Sequence, residues 1–251
     1  MSSETPPSRR IADALRHAIL SGELASGAKL PSERSLAQSY GAARNTARQA
    51  IAILQAEGLV EAQHGRGVFV RRRPPLRRLS QDRYARRYRE AGRAPFRAEA
   101  EREGRRARVE VTDIGPSAAP SWLASRLGLR EGEQVLLRKN RYLADEEPVQ
   151  LANTYIRWDI AEGTALLKPV PGPGGIYATL ESLGHELARL QEDVSARMPL
   201  PDEVASLRLG RGVPVLELIH TSFDQHGQAF EVTQSILPAD RNLLTYDLPV
   251  S

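Results

Sequence analysis

Apolar positions recur along this chain with two different periods. Early on, Ile11, Ala14, Leu15, Ala18 and Ile19 fall at steps of three and four, so residues 9–22 predict an amphipathic helix ending at Gly22. Residues 1–8 carry no such pattern and are expected to be unstructured. A second helix is predicted from Ser32, a candidate N-cap, with Glu33 suited to the helix dipole and Gly41 as the stop. A third runs from about Ala43 to Glu57, is closed by Gly58, and buries Ala47, Ala50, Ile51 and Leu54. Short strands over residues 59–62 and 67–70 then flank Gln63-His64-Gly65-Arg66, where glycines at 65 and 67 permit positive φ.

The polar face of the third helix carries Arg44 and Arg48, four residues apart, with Asn45, Thr46 and Gln49 nearby. Two arginines at that spacing are usually a solvated face. After a helix and a turn, and before a strand pair with the cationic tip Arg66, they read instead as a winged helix-turn-helix that places this helix in the DNA major groove. The tip is suited to a minor groove or to phosphates, or is an ordinary hairpin turn. His64 has no metal-ligand spacing around it, and no metal or cofactor is expected.

Farther along, long strands alternate with short helices. Strands are predicted over residues 108–114, 134–143, 149–156, 192–197, 213–224 and 228–237, with helices at 120–127, 176–183 and 201–207. Hairpin-linked strands with helices at their ends give an antiparallel α+β domain. Between the halves, Arg71-Arg72-Arg73-Pro74-Pro75 reads as a linker, and residues 79–94 leave a joining helix and an ordered arm equally open. The expected division is residues 1–73, a linker over 74–94, and a second domain over 95–251.

Composition sharpens this. The net charge is +4, yet the first 78 residues hold thirteen Lys/Arg against six Asp/Glu, which suggests a polyanionic partner for that half. Cysteine is absent, which excludes disulfides and thiolate metal sites. No stretch approaches the roughly 18 apolar residues of a membrane span, and the N-terminus has no apolar leader, so a soluble cytoplasmic protein is expected.

Specific motifs add a resemblance. P-S-E-R-x-L-A, R-x-T-x-R-x-A, L-x-x-E-G-L-V and H-G-R-G-V-F-V, within residues 9–71, resemble the DNA-binding domain of GntR-family bacterial transcriptional regulators. The resemblance implies operator contacts at Arg34, Arg44, Thr46, Arg48, His64, Gly65 and Arg66. Gln49 joins them from its place on the helix face. Ala43 stands where the family often has Ser. Ser35 replaces a frequent Glu, removing a capping-box partner for Ser32. Residues 95–245, through WLASRLGLREGEQVLLRKNRYLADEEPVQLANTYI, GPGGIYATLESLGH and QAFEVTQSILPADR, resemble the chorismate-lyase-like UTRA domain of the HutC subgroup.

That second resemblance implies a small-molecule effector near Arg138, Arg141, Thr154, Tyr155 and Glu231. On physical grounds Gly174, Gly175 and Tyr177 are added, because free N–H groups where a glycine-rich loop enters a helix suit an anionic group. Alternatives stand beside these. Arg138 and Arg141 point to opposite faces of a straight strand unless a bulge intervenes. Tyr155 also fits a core aromatic, and Glu231 a cross-strand partner for an arginine. Asn140, Ala152 and Leu237 depart from the subgroup's sugar-phosphate pattern. The expected function is a homodimeric repressor that reads a palindromic operator in double-stranded DNA under effector control. The alternative is an effector-independent plasmid or mobile-element repressor whose second domain only dimerises. An enzyme is disfavoured, because the five histidines are dispersed and no catalytic set stands out.

Overall fold

The structure, a computed structural model, describes residues 6–63, 65–71, 76–79, 86, 91 and 94–247. It divides into two compact units, residues 1–74 with 209–214, and residues 75–208 with 215–251.

In the first unit, α1 spans Pro7–Ser21. It begins two residues earlier than expected because proline at the first helical turn needs no N–H partner and already has helical φ. Gly22 closes it in the left-handed region at φ 85°. The next helix, α2 (Glu33–Ser39), is capped as predicted: the Ser32 hydroxyl accepts from Ser35 N–H at 3.1 Å. α3 covers Arg44–Ala56. Two antiparallel strands, β1 (Val60–Gln63) and β2 (Gly67–Val70), complete the wing, with Val60 opposite Val70. One core joins these elements through Ile11, Leu15, Leu36, Ala47, Ala50, Ile51, Leu54, Val60 and Val70. Arg71 is not solvated as a linker residue would be. It is buried, and its guanidinium donates to Arg211 O at 3.2 Å in the same unit.

The second unit opens with two elements that the strand-helix pattern did not anticipate, β3 (Leu76–Leu79) and α4 (Pro95–Arg102). The strand pairs in parallel with a late one, β10 (Asn242–Thr245), so neither shows up as a hairpin in sequence. Most of the expected 74–94 linker lies outside the described residues.

Six strands form the central antiparallel sheet: β4 (Ala107–Ala118), β5 (Gln134–Ala144), β6 (Glu147–Arg157), β7 (Arg189–Arg197), β8 (Val215–Phe223) and β9 (Ala229–Pro238). Their spatial order is β4-β5-β6-β9-β8-β7. The turn between β5 and β6 has only two residues, Asp145 and Glu146, both at positive φ (48° and 64°). Asp145 stabilises it by accepting from Arg106 N–H at 2.9 Å and from Arg105 at 3.0 Å.

Helices cover both faces. α5 (Ser121–Leu127) sets Leu123, Ala124 and Leu127 against Val135, Ala229 and Val232. On the other face α6 (Trp158–Ala161), a 3-10 turn at Ala165–Leu167 and α7 (Gly175–Ser182) pack against Leu136, Ile156 and Phe230. α8 (Pro201–Leu207) precedes β8.

Leu136 is fully buried where the sheet meets α6 and α7. Leu136→Ala is expected to destabilise the second unit by about 2–5 kcal/mol, read as a lower chemical-denaturation midpoint.

Candidate functional site

Two groups of polar side chains stand out, one in each unit. In the first, Arg44, Arg48 and Gln49 are exposed on α3, Thr46 is half-buried, and Arg34 is exposed on α2. The arginines are not loose. Glu33 accepts from Arg44 Nε at 3.2 Å, and from Arg48 Nε at 3.0 Å and Nη2 at 3.1 Å. The hydrogen bond from Arg48 and the attendant charge hold the Glu33 carboxyl below its ordinary range against the cost of burial. Glu33 thus holds both cations on one carboxylate.

On the wing, Gly65 and Arg66 are exposed, and His64 lies outside the described residues. Lys29, which the sequence reading did not single out, belongs with them. It bridges to Phe69, its ammonium sits 5.9 Å from the Phe69 ring centroid, and the Arg66 guanidinium lies 5.5 Å from the same ring. Gly67 makes room for it: at φ 119°, an added Cβ would fall 2.8 Å from Lys29 Cε.

The second site follows from strand register. Arg138 on β5 pairs with Thr154 on β6, Thr154 with Thr233 on β9, and Thr233 with His220 on β8. Antiparallel partners share a face, so these four form a row, flanked two residues away by Asn140, Ala152, Ser235 and Leu218. Together with Tyr177, Gly174 and Gly175 of the α7 entry they line a cavity of about 260 Å³. Phe96 and Glu99 of α4 and Arg78 of β3 form further wall.

Glu231 is the buried anion of this cavity. Its Oε2 accepts from Ser222 Oγ at 2.6 Å and from the Tyr177 hydroxyl at 3.0 Å, with His220 Nε2 at 3.3 Å. Oε1 accepts from Thr233. Burial pushes this carboxyl up, but His220 and the donated hydrogen bonds outweigh it and hold it below its ordinary range. An ionised carboxylate only accepts, so Thr233 donates to it, and Thr154, 2.7 Å from Thr233, donates in turn. Tyr177 likewise spends its proton on Glu231, which makes His220 Nε2, 3.0 Å from the Tyr177 oxygen, the donor there.

Of the effector positions named from sequence, Arg138, Thr154, Gly175, Tyr177 and Glu231 line this cavity. Arg141 and Tyr155 do not. β5 is regular between 138 and 141, so the odd spacing turns Arg141 to the opposite face, where it binds Glu110 across the strand pair at 2.6 Å and Ser206 O of α8 at 3.4 Å. Tyr155 follows Thr154 and so faces α5, its ring edge-on to Trp122 at 5.8 Å. Glu231 pairs with hydroxyls and a histidine rather than an arginine.

Arg138 also behaves differently from an anion clamp. Its guanidinium donates to Leu166 O, to Lys168 O at 2.8 Å and to Pro169 O at 3.1 Å, and burial lowers its pKa. It holds the loop that rims the cavity. Ser222 and Thr233 were not singled out from sequence, Asn140 figured there only as a departure from the sugar-phosphate pattern and His220 only as one of five dispersed histidines, because they are ordinary strand polar residues until register gathers them. Among the described residues no group of three potential metal ligands occurs.

Residues 7–70 match the bacterial regulatory proteins of the gntR family, and residues 102–242 match the UTRA domain. The chain belongs to the GntR family. It is a transcriptional regulator with a helix-turn-helix domain and a UTRA effector-binding domain. An uncharacterized HTH-type transcriptional regulator of Streptomyces coelicolor is 30% identical over 100% of this chain and 95% of its own. The transcriptional repressor NagR of Bacillus subtilis is 27% identical over 95% and 93%. Among solved structures, a putative GntR-family regulator superposes with a TM-score of 0.68 at 30% identity, covering 98% of this chain and 99% of that one. PhnF from Mycobacterium smegmatis gives 0.60 at 25%, covering 96% and 100%. These relatives are regulators rather than enzymes. No helix among the described residues is long and apolar enough to cross a membrane.

Two measurements follow. Glu33→Gln releases Arg44 and Arg48 from their shared acid. Its affinity for non-operator DNA is expected to rise and the operator preference to narrow, read by fluorescence anisotropy across a salt series. For Glu231, a folded pKa below the unfolded one stabilises the fold above the usual carboxylate range, and that contribution is lost as pH falls through the folded pKa. The melting-temperature gap between wild type and Glu231→Gln should therefore be widest near neutral pH and close below about pH 4. A gap independent of pH would mean the carboxylate is not ionised.

Proposed function

We propose that this chain is a homodimeric repressor that grips a palindromic operator through two copies of α3 and is modulated by a small molecule in the sheet-face cavity. The observation that carries effector control is that cavity: about 260 Å³, walled by apolar side chains and floored by an ionised, fully hydrogen-bonded Glu231. An effector-independent repressor, which uses this domain only to dimerise, has no need of such a space. Burying a carboxylate there costs free energy that packing alone does not require.

In this reading residues 1–74 read DNA, and the sheet domain binds effector and pairs the two copies. Arg44 and Arg48 exchange Glu33 for bases and phosphates, Thr46, Gln49 and Arg34 contact the flanking backbone, and the wing with His64, Gly65, Arg66 and Lys29 lies along the adjacent groove. NagR being a repressor supports the sign of regulation. Effector control requires that the ligand bind one arrangement of the dimer better than another. A coupling of about 1–3 kcal/mol changes operator affinity roughly 5–150-fold.

The test is operator binding by wild type and Arg48→Ala at physiological salt. Loss of a base contact is expected to cost about 1–3 kcal/mol and to relax preference at one operator position. Unchanged affinity would sink the assignment of α3 as the reading helix.

A further inference from the structure

The cavity's chemistry also constrains what can fill it. Its ionisable wall comprises two guanidiniums, Arg78 and Arg138, and two carboxylates, Glu99 and Glu231, beside His220. All four of these charged residues are buried. The charges are matched, and the cations are engaged. Arg138 is bound by three loop carbonyls, and Arg78 donates to Gln150 Oε1 while its guanidinium lies 5.7 Å from the Phe96 ring centroid. Arg141, the other arginine that the resemblance offered, is on the far face of the sheet.

A phosphate or carboxylate entering this space would bring a charge with no free cation to meet it, beside a carboxylate already ionised. An ammonium would have to compete at Glu231 with the donors already there, Ser222 and Tyr177 on Oε2 and Thr233 on Oε1. Both would leave water without compensation.

What the wall leaves open is neutral. Much of the wall is apolar: Phe96 of α4, Val109 and Val111 of β4, Ala152 of β6, Ile176 of α7 and Leu218 of β8. Two polar atoms on the same face of β5, two residues apart, have no partner among the described residues: Arg138 Nε, a donor, and Asn140 Oδ1, an acceptor. Buried polar groups are rarely left unmatched, and each such vacancy costs stability until something fills it. A hydroxyl both donates and accepts, so one hydroxyl group can answer either atom, or both.

We propose that the effector is an uncharged molecule with an apolar body and a hydroxyl head that hydrogen-bonds Asn140 Oδ1 and Arg138 Nε. This rests on reading the cavity as the effector site, and it excludes the anionic group that the glycine-rich loop and the arginines suggested from sequence. Asn140 and Arg138 act as the specificity pair, and Glu231 holds the polar row that fixes the shape of the cavity.

The experiment titrates the full chain with three probes of one skeleton: octanol, octanoate and octyl phosphate. Heat of binding and melting temperature are read, with operator affinity measured alongside. Octanol is expected to bind about tenfold or more tighter than either anion. Asn140→Leu is expected to weaken octanol by roughly fivefold, the loss of one hydrogen bond, while melting at or above the wild-type temperature without ligand because a buried unmatched acceptor is gone. Tighter binding of octanoate or octyl phosphate overturns the proposal, as does silence from all three probes at about millimolar concentration. Preferential octanol binding with no change in operator affinity keeps the ligand class and sinks effector control. An anion that binds and alters operator affinity does the reverse.

Discussion

The two-residue period of an antiparallel sheet is the constraint on which the effector domain depends. Each strand residue has a fixed face, and register carries that face from strand to strand. Through it Arg138, Thr154, Thr233 and His220, separated by up to 95 positions in the chain, come to stand in one row. The same period sends Arg141 and Tyr155 into structural work on the other side. A single-residue slip in β5 would exchange Arg138 for a neighbour and dissolve the cavity.

On that row the energetics are those of one buried charge made tolerable. Glu231 loses the hydration of an exposed carboxylate and regains it from hydroxyls of Ser222, Thr233 and Tyr177 and from His220. Because the carboxylate can only accept, every hydroxyl around it has a determined direction. The polar floor is therefore ordered before any ligand arrives, which lowers the entropic cost of binding. Arg138 does comparable work at the rim, where its hydrogen bonds replace those that the carbonyls of residues 166, 168 and 169 would otherwise make with water.

The DNA-reading unit uses a different device for a related purpose. Arg44 and Arg48 are long, exposed side chains that would sample many rotamers if free. Glu33, the first residue of α2 and next to the Ser32 cap, draws both onto one carboxylate. Exposed ion pairs like these contribute little to stability. Their value lies in presenting the guanidiniums together on the outward face of α3, in a unit whose inward stripe is a compact core.

Much of this was legible in the residues themselves. Helical period, the Ser32 cap and the glycine stops at 22, 41 and 58 are local properties, and local physics determines them, so the helix-turn-helix and its outward arginines could be read directly. The long hairpin strands were legible for the same reason. What tertiary structure alone decided is anything that depends on partners distant in sequence. β3 pairs with β10 across more than 160 residues, Lys29 reaches the wing through Phe69, and His220, Ser222 and Asn140 become a site only by register. The resemblance pointed to two arginines for the effector, whereas the folded sheet gives one to a loop and the other to Glu110. Side-chain type is written in the chain, but whether a charge is free or already spent depends on its neighbours in space.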